Sequence, residues 1–228
     1  MSVMTGWWIV CCAGAFLVGG IPFGYLAGRL VLHDDIRKFG SGNIGATNVA
    51  RVIGWKWAVV VLVLDALKGL LPTLLTGLVL RQQQVAAEQP GQIVAGLCAI
   101  LGHMYPVWLK LRGGKGVATA LGVVLVLAPL ASAAALAAFA IVAGVSRVVA
   151  LGSMTAAATF AATQLTLSGH TALQWPHWPL TLFSVLVPSM IVWRHRSNIR
   201  RMWRGEESPL LPAGNGPHPG GQAAEREP

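Results

Sequence analysis

Charged side chains are scarce in this 228-residue chain: Lys, Arg, Asp and Glu make up 11% of it, against about a quarter of an ordinary soluble domain. That excludes an ordinary soluble enzyme. Acidic residues are the rarer sign, eight against 17 Lys and Arg. So few carboxylates, mostly scattered, do not suggest a multi-metal site, and no HExxH or EF-hand ladder of acids occurs. Cys11, Cys12 and Cys98 are the three cysteines, all within apolar runs. A disulfide framework is therefore not expected, and there is no CxxC pair for zinc. A Gly-x-Ser-x-Gly nucleophile elbow is missing as well. No Lys or Arg precedes Arg29. The first apolar stretch thus lacks the basic region of a secretory signal and is expected to be a retained span.

What fills the chain is apolar. Hydrophobic residues make up 54%, and the mean hydropathy is +0.62. A net charge of +9 suits nucleic acid, but that hydropathy does not. Long uncharged runs separated by short basic loops are the pattern of a polytopic membrane protein. Seven runs are read as spans: residues 6–30, 55–80, 93–108, 117–128, 131–146, 148–167 and 178–193. The fourth and fifth flank Pro129 and are short against the roughly 20 helical residues that cross a bilayer. Fifteen of the 17 Lys and Arg fall in alternate loops, at the run ends that border them, and in the C-terminal segment. Seven spans with a periplasmic N-terminus and a cytoplasmic C-terminus put all fifteen on the cytoplasmic side. The expected fold class is therefore all-α, with seven transmembrane helices in an integral-membrane domain of residues 1–207. Residues 208–228, rich in Pro and Gly, are expected to be a disordered cytoplasmic tail.

Three of the cytoplasmic loops have a composition beyond that of generic turns. The first reads SGNIGATNVAR, Ser41 to Arg51. It gathers hydroxyls, amides, two glycines and an arginine able to fork onto phosphate. The second reads GHMYPVWLKLRGGKG, Gly102 to Gly116. Its Gly-Gly-Lys-Gly end, just before an apolar helix, suits an anion at a helix N-terminus. It is not a Walker A loop, because Leu109 and Gly116 stand where that pattern needs Gly and Ser/Thr. His103 in this loop is read more readily as structural than as catalytic. The third reads HRSNIRRMWRGEE, His195 to Glu207, directly after the last span; its His195 and Asn198 are three apart and share a face on a continuing helix. A positive-inside anchor explains its arginines but requires neither His195 nor Asn198. Asp65 and Lys68, three apart inside the second run, are costly there unless paired or lining a cavity. An internal ion pair is the preferred reading, with a direct substrate role as the other.

These three segments, in this order and with spans between them, resemble the signature motifs of the PlsY family of bacterial acyl-phosphate:glycerol-3-phosphate acyltransferases. The resemblance covers residues 1–207. It implies a multi-pass inner-membrane enzyme whose active site faces the cytoplasm. Such enzymes move a fatty acyl group from acyl phosphate to the 1-hydroxyl of glycerol 3-phosphate, giving lysophosphatidic acid and phosphate for phospholipid synthesis. They use neither acyl-CoA nor acyl-ACP directly, and no metal or other cofactor. The implied partners are the two substrates and the bilayer, with no nucleic acid. The HxxxxD pattern of soluble-domain glycerolipid acyltransferases is missing here.

By motif position the resemblance implies catalytic roles for Ser41, Arg51, Lys115, His195 and Asn198. It implies substrate binding by these five together with Thr47, Asn48, Gly113, Gly114, Gly116 and Ser153, and structural support from Glu206. Two departures are Ala150, where relatives often carry serine, and Ser197, where an acidic residue is common. The hydroxyl proton goes either to His195 as general base or to a substrate phosphate oxygen. No carboxylate in the motif orients His195 as in a triad, which favours the phosphate. The rival class is a transporter of a phosphorylated solute. Against it, the three loops do not repeat one another, and the polar groups gather at one face and not at the midplane.

Overall fold

A computed structural model describes residues 3–84 and 88–210. The described residues are helical with no strand. In chain order the helices are α1 (Val3–Gly19), α2 (Phe23–Val31), α3 (Ala46–Val52), α4 (Trp55–Gln82), α5 (Glu88–Met104), α6 (Val117–Leu127), α7 (Pro129–Ser146), α8 (Val149–Ser168), α9 (Trp178–Arg194) and α10 (Arg196–Trp203). Four stretches are long and apolar enough to cross a membrane: Gly6–Val31, Trp55–Gln82, Glu88–Leu109 and Pro129–Ser146. Val117–Leu127 and Trp178–Arg194 are apolar but shorter. The first expected span remains one candidate crossing, built of two helices. Pro22 stands at the N-cap of α2, and the chain turns through Gly20 and Ile21 before it. The short fourth and fifth runs are also separate helices, since Ala128 leaves helical geometry (φ −151°, ψ 70°) and Pro129 starts α7. At 11 residues, α6 rises about 16 Å, about half a hydrocarbon core. Of the tail, residues 211–228 lie outside the described residues.

The helix faces follow from burial. Along α4, Val59, Val63, Leu67, Leu71, Leu74 and Leu78 face outward and are exposed. The opposite face buries Asp65, Lys68, Gly69, Thr73, Thr76 and Gly77. Apolar outside with small and polar inside is the inverse of a soluble helix, and it suits lipid contact around a polar interior. Small residues set the spacing between α4 and α6. A Cβ on Gly69 would lie 2.1 Å from the Thr119 carbonyl oxygen, and one on Gly122 would lie 2.0 Å from that of Ala66. The main core runs through α5 to α9, with Ile100, Met104, Val123, Phe160, Phe183 and Val187 nearly fully buried. A second cluster, including Ile36, Ile44, Val49 and Val61, ties the first loop and α3 to α4.

Candidate active site

The three loops meet at one cavity of about 290 Å³. Ser41, Thr47, Arg51, Lys115, His195, Asn198 and Glu207 line its polar part, and Leu121, Val124, Leu136, Phe139, Phe160 and Val187 its apolar part. The two parts are joined along α6. Lys115 and Gly116 stand at its N-terminus, and Val124 lies about two turns further on. The cavity therefore combines a cationic head with an apolar trough.

The first loop is built around Asn48, which is 1% exposed. Its Oδ1 accepts from the Ser41 backbone N–H at 2.7 Å and from the Ser41 hydroxyl at 3.1 Å. Its Nδ2 donates to the carbonyls of Asn43 at 2.8 Å and Phe39 at 3.2 Å. The amide of Asn48 thus shapes the loop, and its bonding capacity is met by protein atoms. Thr47 and Ser41 border the cavity. On α3, Arg51 is partly buried, and its Nη2 donates to the Ser208 carbonyl at 2.6 Å. The Arg51 Nε is buried without a partner. Burial disfavours the charge on Arg51, but a guanidinium stays protonated.

In the second loop, the N–H groups of Gly113 and Gly114 donate to the carbonyls of Met104 (3.2 Å) and His103 (3.1 Å). The carbonyls of both glycines accept from Arg194, Gly113 at 2.9 Å and Gly114 at 2.6 Å. These two glycines are engaged by protein and buttress the loop, whereas Lys115 and Gly116 border the cavity. Gly116 caps α6 at φ +83°, in the region that favours glycine. The first α6 bond runs from the Ala120 N–H to the Gly116 carbonyl. The N–H groups of Val117, Ala118 and Thr119 thus precede the intrahelical ladder, and the positive helix end points toward the site.

The Lys115 ammonium donates to the Asn198 side-chain oxygen at 2.5 Å. Its pKa is lowered to about 8 by burial above all, with Arg201, Arg51 and Arg194 adding to the effect and Glu207 opposing it. His195 sits at the junction of α9 and α10 and is 2% exposed. Its Nδ1 lies 2.8 Å from the Ile191 carbonyl. A carbonyl accepts only, so Nδ1 carries the proton and Nε2 keeps its lone pair. Burial and the Lys115 charge lower the His195 pKa to about 4, partly offset by the Ile191 bond and Glu207. Asn198 is 3% exposed, and its Nδ2 donates to Glu207 at 2.8 Å. Ser153 borders the cavity, and its hydroxyl donates to the Val149 carbonyl at 2.9 Å.

Glu207, and not Glu206, is the acid built into the site. It accepts from Asn198 and also from Arg201 Nε at 2.7 Å, while Glu206 is exposed. The two are adjacent acids in sequence, and the chain reversal at Gly205 (φ +68°) decides which faces inward. Contacts with the membrane domain also continue past residue 207: Ser208 reaches Arg51, and the Leu210 N–H donates to the Arg147 carbonyl at 2.9 Å. The sequence alone does not distinguish Arg194, because it opens an arginine-rich stretch that positive-inside topology already explains. Asp65 and His103 also border the cavity. Among the described residues no group of three or more His, Cys, Asp and Glu side chains could hold a metal ion.

The sequence profile described as glycerol-3-phosphate acyltransferase matches residues 9–205. A glycerol-3-phosphate acyltransferase of Myxococcus xanthus (strain DK1622) is 48% identical over 192 residues, covering 84% of this chain and 94% of the relative. One from Anaeromyxobacter sp. (strain K) is 45% identical over 199 residues, covering 86% and 93%. The fold is similar to the crystal structure of PlsY (YgiH), an integral membrane glycerol 3-phosphate acyltransferase. In its glycerol 3-phosphate form the TM-score is 0.78 at 34% identity, covering 89% of this chain and 94% of that one. In its lysophosphatidic acid form it is 0.74 at 33%, with the same coverage.

Proposed function

The chain belongs to the glycerol-3-phosphate acyltransferase family, and from that premise we propose that this acyltransferase takes its acyl group from acyl phosphate. The acceptor is the 1-hydroxyl of glycerol 3-phosphate, and the products are lysophosphatidic acid and phosphate. The observation that carries this reading is the cavity itself, in which a cationic head adjoins an apolar trough. An acyl phosphate has that same division. The enzyme crosses the bacterial inner membrane seven times, with its N-terminus periplasmic and its site open to the cytoplasm. The loop charges support that orientation.

An acyl phosphate is an activated mixed anhydride, so the protein need not supply a nucleophile. Two phosphate dianions must approach, and Arg51, Lys115 and the N-terminus of α6 offset their repulsion. Ser41, Thr47 and Ser153 offer hydroxyls at the cavity wall. Asn198 holds Lys115, and Glu207 holds Asn198 in turn. The acceptor hydroxyl oxygen attacks the acyl carbon. The bond from that carbon to the phosphate oxygen then breaks, and the phosphate leaves with the electron pair. Neutral His195 accepts a hydrogen bond from the hydroxyl at Nε2 and orients it. The proton goes to a phosphate oxygen. A phosphate titrates near 6 and is the better base beside an imidazole lowered to about 4.

Purified protein is assayed with acyl phosphate and labelled glycerol 3-phosphate, and with acyl-CoA as control. Transfer from acyl phosphate alone is the expected result. Transfer from acyl-CoA alone would reject the donor.

A further inference from the structure

Asp65, Lys68 and His103 form a buried polar cluster that the transfer chemistry above leaves unused. Lys68 Nζ lies 2.7 Å from Asp65 Oδ1 and donates to the Ile21 carbonyl at 2.7 Å. That pair ties α4 to the break between α1 and α2. It does not account for His103, at the end of α5, which is 4% exposed. The His103 Nδ1 lies 3.7 Å from Asp65 Oδ1 and has no hydrogen-bond partner. The opposite edge of the ring abuts the glycine loop: a Cβ on Gly114 would lie 2.1 Å from His103 Nε2 and 2.8 Å from Cε1. The His103 carbonyl also accepts the Gly114 N–H at 3.1 Å. His103 therefore meets Gly114 with both ring and backbone, while Arg194 holds the Gly114 carbonyl. The next residue is Lys115.

We propose that Asp65 and His103 are positioning residues of the phosphate site. Asp65 orients the imidazole from the α4 side, and the ring sets the position of Gly114. Gly114 in turn sets the placement of Lys115 and of the α6 N-terminus. This rests on reading the second loop as phosphate-binding. A displacement of about 1 Å in such a loop can cost on the order of 10²-fold in rate. Only glycine leaves room for the ring at position 114, which makes the two positions interdependent.

The test is a double-mutant cycle on the purified full-length chain with His103→Ala, Gly114→Ala and the pair. Two readouts are taken. One is KM and kcat, with each substrate varied separately. The other is the rise in unfolding midpoint produced by inorganic phosphate. His103→Ala is expected to lower kcat/KM by about 10- to 100-fold, chiefly through KM for one phosphate substrate, and to shrink the phosphate-induced rise. Gly114→Ala is expected to lose more. The pair is expected to be no worse than Gly114→Ala alone, because the added methyl enters the space the ring vacates. His103→Phe keeps a ring against Gly114 but removes the nitrogen facing Asp65, and is expected to lose kcat/KM in the same direction as His103→Ala but by less.

Losses that multiply as for independent sites would overturn the coupling to Gly114. Wild-type behaviour of His103→Phe would overturn the part played by Asp65. A phosphate-induced rise unchanged in His103→Ala would overturn the proposal as a whole. If wild type fails to use acyl phosphate while the rise still depends on His103, the donor assignment fails and this one stands. If wild type transfers normally and His103→Ala equals it, the reverse holds.

Discussion

The Lys115 ammonium and the Asn198 side-chain oxygen stand 2.5 Å apart although 83 residues separate them. This contact joins the second loop to the third. It sets Lys115, which borders the cavity, against a neutral amide oxygen and not a carboxylate. Glu207 fixes the other end of Asn198. The cation is thereby aimed without being cancelled by a direct ion pair.

Lys115 gives the first prediction. With its pKa lowered to about 8, the free enzyme loses this charge as pH rises through about 8. Because kcat/KM reports the free enzyme, it is expected to fall above that pH, approaching tenfold per unit. Lys115→Arg is expected to be weaker at neutral pH but without this alkaline limb, since a guanidinium stays charged. Lys115→Ala is expected to be nearly inactive while still inserting. A pH–rate series of wild type and the arginine variant checks this. An identical alkaline limb in both would reject the assignment.

Arg51 gives the second. Its contact with the Ser208 carbonyl must yield if phosphate takes the guanidinium. Arg51→Ala is expected to lose at least 10- to 150-fold in kcat/KM, the equivalent of about 1.5–3 kcal/mol for a charge-assisted contact. Arg51→Lys should fall short of full recovery, because lysine lacks the fork. Steady-state kinetics on membrane-inserted variants decides, and wild-type values for the alanine variant would remove Arg51 from the site.

His195 separates the two proton routes. If a phosphate oxygen takes the proton, His195→Gln retains a hydrogen-bonding group, and most of its loss should fall on substrate binding. Saturated turnover across pH is the measurement. A collapse of turnover by about 10³-fold at saturation, with both substrates still bound, would show His195 to be the general base.

The two adjacent acids should behave differently. Glu207→Ala removes the acceptor of both Asn198 and Arg201 and leaves a buried amide unpaired, a loss of about 1–3 kcal/mol. It is expected to lower the unfolding midpoint and activity together. Glu206→Ala, at an exposed position, is expected to leave both close to wild type. Thermal unfolding in detergent with a parallel assay checks the pair, and the reverse order would contradict the site geometry.

Reporter fusions after Gln84 and after Gly205 should report opposite sides of the membrane. The same side for both would exclude seven spans with a periplasmic N-terminus. Truncation after Leu210 is expected to leave insertion and activity nearly unchanged. Truncation after Glu207 is expected to be the more damaging, because it removes the Ser208 carbonyl and the Leu210 N–H.

Much was legible in the sequence because it depends on local composition. Apolar runs between basic loops define helices and a membrane class whatever their packing. Glycine before an apolar helix marks the helix N-terminus that borders the cavity, for reasons confined to a few residues. The three motifs name Lys115, Arg51, His195 and Asn198 without reference to the fold. Tertiary structure decided what depends on distance between remote segments. It gave the polar groups of Asn48, Gly113 and Gly114 protein partners that hold their loops, with Asn48 also bordering the cavity. It chose Glu207 over Glu206 through one backbone reversal. It set the His103 ring against Gly114 and tied Arg194 to the glycine carbonyls. Such contacts span from 5 to 80 residues of sequence, and a buried polar group takes whichever partner packing brings within about 3 Å. Composition carries no record of that choice.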